Sequence, residues 1–133
     1  MQSTENRRAF LRAALAAGAA WATADLLEIE GALAHASQQA AGAGPPTFTA
    51  LTPEQGEALE AMSARLIPAV DGRPGARDAG AVHFIDRALA TFNAGARGLY
   101  ADGVAELNRQ AASLVPGARF AALTPSQQDG VLR

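Results

Sequence analysis

Apolar residues recur at helical spacing along most of the chain beyond residue 50, and proline, glycine and small polar residues fill the intervals between these runs. Leu59, Met62 and Leu66, widened by Ala58, form a first stripe. Thr52-Pro53-Glu54-Gln55 opens it with a capping oxygen, a proline at the first helical position and a glutamine placed to close a capping box. Pro68 stops it. Val82, Ile85, Leu89 and Phe92 make a second stripe, with Asp78 as its expected N-cap and Asn93 to Gly95 as its end. Tyr100, Val104, Leu107, Ala111 and Leu114 make a third, ended by Pro116-Gly117. At Thr124-Pro125-Ser126-Gln127 the opening signal returns, and a fourth helix has barely begun when the chain stops at Arg133. No strand pattern competes. The expected fold is all-α: three helices plus the start of a fourth over 50–133, a domain expected to be C-terminally incomplete.

The N-terminal part follows a different logic. Asn6-Arg7-Arg8-Ala9-Phe10-Leu11-Arg12 precedes an uncharged, alanine-rich run from Ala13 to Ala24. A charged segment followed by a short apolar one is the layout of an export signal. Arg7, Arg8, Phe10 and Leu11 with this weakly apolar run point to the twin-arginine route, which carries folded proteins and makes the twin-arginine translocase a partner. The expected location is periplasmic. Ala34-His35-Ala36 is the preferred small-x-small cleavage site and gives a signal segment over 1–36. Ala22-Thr23-Ala24 is a second site, with 25–30 then a short retained helix, and an uncleaved leader is a third arrangement. Residues 37–49 lack periodicity and read as a flexible linker, with order beginning at Leu51.

Between Ile67 and Gly80 two prolines and three glycines rule out a regular element and specify successive tight turns. Such a loop is pre-organised, so it suits docking to a partner as well as chain reversal. Pro68, Asp71, Arg73, Pro74, Gly75 and Arg77 are the candidate docking residues. The two guanidinium groups are the natural contacts for carboxylates or carbonyls.

Composition removes most chemistry. The chain contains no cysteine, which excludes disulfides, thiolate metal sites and c-type haem attachment. Its formal charge is -2, and without the first 36 residues it is -1, so nothing resembles a nucleic-acid footprint. Apolar residues make up 49%, but aromatics only 5%, and much of the rest is alanine. A core so thin gains from a partner subunit. His83, the one histidine beyond the expected leader, lacks a second ligand type at metal spacing and reads as a hydrogen-bonded helix histidine. Asp71, Asp78 and Asp86 do not follow calcium-loop spacing, and turn and cap roles account for the first two. No phosphate loop, dinucleotide fingerprint or nucleophile elbow is present.

The run from Leu66 to Asp86, with Ile-Pro, Pro-Gly-Ala, Ala-Gly-Ala-Val and Phe-Ile-Asp in order, resembles the gluconate 2-dehydrogenase subunit 3 family. Phe120-x-x-Leu-Thr-Pro-x-Gln-Gln and the twin-arginine leader before a Leu-Thr-Pro-x-Gln helix start are similar too. The resemblance implies a small accessory subunit of a flavin-dependent sugar or polyol dehydrogenase. It implies no cofactor in this chain, FAD in a large flavoprotein partner of the glucose–methanol–choline type, and haem in a third, membrane-bound multihaem cytochrome c subunit. The small subunit would carry the export signal for a catalytic partner that lacks one and help it mature. A free-standing periplasmic helical domain that binds a small ligand is the alternative.

Overall fold

The computed structural model describes residues 26–42 and 45–133. Arg7, Arg8, Phe10, Leu11 and the Ala22–Ala24 site lie outside them. Five α-helices and no strand are found among the described residues: α1 (26–41), α2 (Pro53–Leu66), α3 (Ala81–Ala90), α4 (Arg97–Leu114) and α5 (Pro125–Val131). Single 3-10 turns at Ala94–Ala96 and Phe120–Ala122 lead into α4 and towards α5. The all-α expectation holds.

The repeated opening signal does the same work twice. Thr52 Oγ1 accepts from Gln55 N at 3.2 Å while Gln55 Oε1 accepts from Thr52 N at 3.0 Å. Thr124 and Gln127 repeat the exchange at 3.3 and 2.9 Å. Each box satisfies two backbone donors that an open helix end would leave bare.

The core has two parts. Leu51, Leu59, Val82, Leu89 and Val104 join α2, α3 and α4, and Phe120, Leu123, Ala61 and Ala111 join α2 and α4 to the last turn and α5. Phe120 is completely buried; its amide donates to Asn108 Oδ1 and its carbonyl accepts from Gln128 Nε2. The Phe-x-x-Leu-Thr-Pro-x-Gln-Gln run is therefore a packing device, with two core plugs, a capping box and a side-chain clamp. Met62 touches both parts of the core.

Several expectations need correction. Residues 37–41 of the expected linker continue α1, and the backbone is fixed again from Thr49, ahead of Leu51. Asp78 does not cap α3: Gly80 stands at the N-cap with φ 70°, and the Asp78 carboxylate accepts from Gly75 N inside the loop. Leu66 and Leu114, expected in the core, are exposed as the last residues of α2 and α4. α3 stops at Ala90, so Phe92 falls beyond it and lies half out of the core, tilted against Phe84.

Candidate functional site

The chain between α2 and α3 is a stiff hairpin-like finger. Val70 and Arg73 exchange backbone hydrogen bonds of 3.2 and 2.9 Å around Asp71 and Gly72, both left-handed at φ 51° and 74°. At the base Ala76 N donates to Ile67 O at 2.8 Å. Gly75 lets the two limbs close: a Cβ there would stand 2.5 Å from Ala69 N and 2.7 Å from Ile67 O. The Asp78 carboxylate holds Gly75 N at 2.9 Å. With both limbs bonded to each other, little freedom remains to be lost on binding.

This finger carries Leu66, Ile67 and Val70 at 63%, 63% and 52% exposure, respectively. Of the expected docking residues, Pro68, Asp71, Arg73 and Pro74 are exposed with them, whereas Gly75 is buried at the base. Arg77 faces Glu60 across 3.8 Å, and both side chains are largely solvated, so the pair contributes little. The apolar trio was not legible as surface from spacing alone, since Leu66 continues the α2 stripe. The nearby Pro68 was the available signal, because it ends the helix before a neighbour can cover that side chain.

Behind the finger a cleft of about 290 Å³ opens between α1 and the body, lined by Gln39, Gly42, Pro46, Glu60, Arg77 and His83. His83 is 7% exposed, stacks on Phe48 with ring centroids 5.5 Å apart, and meets the edge of His35 at 6.5 Å. Its Nδ1 is buried without a hydrogen-bond partner, contrary to the satisfied helix histidine expected. His35, which falls within the expected leader, is its neighbour. No group of three or more His, Cys, Asp or Glu side chains among the described residues is placed to hold a metal ion. A larger, open hollow of about 590 Å³ between α4 and α5 has Arg109, Ser113, Ser126 and Gln127 in its walls, with no acid–base pairing or nucleophile arrangement in it.

Asp86 was given no role by its spacing, yet it organises this region. It is 1% exposed, and its carboxylate accepts from Thr49 N at 2.9 and 3.1 Å, Ala50 N at 2.8 Å and Leu51 N at 2.9 Å. Three successive amides form an anion-holding concavity around it. Its place at i+4 from Val82 and i−3 from Leu89, on the buried face of α3, was the signal available: an acid there needs dedicated donors.

Fold and surface together define a small helical module with a rigid finger that exposes apolar side chains along its first limb. The chain belongs to the gluconate 2-dehydrogenase subunit 3 family, whose model matches residues 53–133. It is thus an accessory subunit of a dehydrogenase complex. No curated protein and no solved structure matches the chain.

Proposed function

We propose that this chain is the non-catalytic small subunit of a periplasmic, flavin-dependent dehydrogenase and escorts the flavoprotein through twin-arginine export. Membership of a family of dehydrogenase third subunits carries the reading. The Arg7-Arg8 leader supports the export role, because a signal on the small subunit moves a folded partner that has none. FAD belongs to that partner, and electrons pass to a membrane-bound multihaem cytochrome c. The finger from Leu66 to Arg77 is the docking element, its exposed Leu66, Ile67 and Val70 buried against the flavoprotein and its arginines at the rim.

Co-expression with a flavoprotein of the glucose–methanol–choline type from the same source tests both parts. Replacing Arg7 and Arg8 by Lys should leave both proteins in the cytoplasm; normal periplasmic recovery of the pair defeats the escort role. Ile67→Asp with Val70→Asp should cut co-purification at least about tenfold, the loss expected when interface anchors of ~1 kcal/mol or more are removed. Arg73→Ala with Arg77→Ala should weaken it less. Full recovery with the apolar variant rules out docking through the finger.

A second reading, a free-standing ligand-binding domain, draws on the His83 cleft and its unpartnered Nδ1. It predicts that the chain purifies without the flavoprotein.

A further inference from the structure

We infer that the bond after Ala36 is not a processing site, and that α1 belongs to the mature working domain. The inference deepens the export reading and rests on it. Of the two small-x-small sites, Ala34-His35-Ala36 is the one the sequence favours, because Ser37 after it opens a polar, glycine-rich stretch. The fold removes it from use.

A protease reads its substrate as an extended strand, through the main-chain groups on either side of the bond to be cut. Here those groups are committed to a helix that runs without a break from 26 to 41. Ala36 is 3% exposed. Its carbonyl, which belongs to the very bond a peptidase would attack, presses against Gly80 so closely that a Cβ at Gly80 would collide with it. Gly80 has φ 70°, so the position favours glycine on conformational grounds as well. Two residues before the bond, the His35 ring meets His83; immediately after it, Ser37 Oγ donates to Leu33 O at 3.0 Å. Two turns of helix around the bond are therefore tied to the body or to themselves.

Timing points the same way. A protein carried by the twin-arginine route arrives folded, so α1 is docked when it meets the processing enzyme. A helix of this length is marginal by itself in water, and its contacts with Gly80 and His83 keep it formed. Cutting after Ala36 would also sever Gln39 and Gly42, which line the His83 cleft, from the helix turn that seats them.

The test uses the full chain with a C-terminal tag, expressed with its flavoprotein. Its mass and N-terminal sequence are read after recovery from the periplasm. Asp25 or an intact leader at the N-terminus supports the inference, and Ser37 overturns it. A chain found only in the cytoplasm defeats the export reading instead. Hydrogen exchange on the purified full chain then decides this one. Amides 34–40 should exchange at least about tenfold more slowly than in Ala36→Arg, which undocks α1 while α2 to α5 keep their protection. Equal exchange in the two proteins overturns the inference. Should Ala36→Arg unfold the whole chain, the wild type alone decides: exchange of amides 34–40 at free-peptide rates overturns the inference, and slowed exchange supports it.

Discussion

Asp86 shows how much a single side chain can organise when backbone donors converge on it. Its carboxylate replaces the water that Thr49, Ala50 and Leu51 would otherwise bind, and so fixes the chain just before the α2 cap. Asp86→Ala would leave these amides without their acceptor and put a small void beside Leu89. The expected loss is about 3 kcal/mol, the range for orphaned buried donors, measured by urea unfolding of the chain or of its complex. An unchanged midpoint would show that water replaces the carboxylate without cost. At this scale the sequence was half legible. The capping pairs Thr52–Gln55 and Thr124–Gln127 could be read because their partners are three residues apart. The Asp86 contacts, 35 to 37 residues away in the chain, could not. His83 misled for the same reason, since its stacking partners Phe48 and His35 come from the segments read as linker and leader.

Among the elements, α5 is the shortest and relies on its ties to the rest of the fold. It has seven residues, too few to be helical alone, and the Arg65–Asp129 pair fastens it to α2 with two hydrogen bonds of 2.7 and 2.8 Å. The Arg65 guanidinium, chiefly through these bonds, holds the Asp129 carboxyl below its ordinary 3.8. A carboxylate shifted down in the folded state stabilises it fully above the unfolded value, and that gain fades as pH falls through the folded one. Asp129→Asn should therefore lower the melting temperature at pH 6 and make a shrinking difference as pH drops below about 3.8. A gap between the two proteins that does not shrink as pH falls below about 3.8 would assign the effect to packing instead. The helices themselves were plain from spacing and caps, because amphipathic stripes and Thr-Pro starts are local signals. Their ends were less so: Leu66, Phe92 and Leu114 keep the period but stand at or beyond the last turn of a helix, where they are exposed. What α1 would do was hidden by composition, since Ala, Gln and Ser suit a linker and a helix equally until Gly80 offers a seat.

The whole molecule is a thin structure held by many small contacts. Among the described residues Phe120, Leu89 and Leu59 are the largest apolar side chains at 3% exposure or less, while alanines fill much of the rest. Such a domain gains readily from a partner that binds only its folded form, by about 2.7 kcal/mol at a hundredfold excess over Kd. The exposed finger and the apolar groove of about 380 Å³ beside Leu99 and Tyr100 are surfaces where that gain could arise.

Met62 stands where the two parts of the core meet, packed against both the Leu59–Leu89 cluster and the Phe120 cluster. A thioether is soft enough to fit both surfaces, and it is also a group that oxidants convert to a polar sulfoxide. One oxygen atom added there would enter both halves of the interior at once, making the seam the redox weak point of a chain with no cysteine to take the damage first. Peroxide should lower the melting temperature of the wild type and spare Met62→Leu, with the +16 Da adduct on the Met62 peptide tracking the loss. An oxidised Met62 with an unchanged melt would mean that the two halves are joined elsewhere.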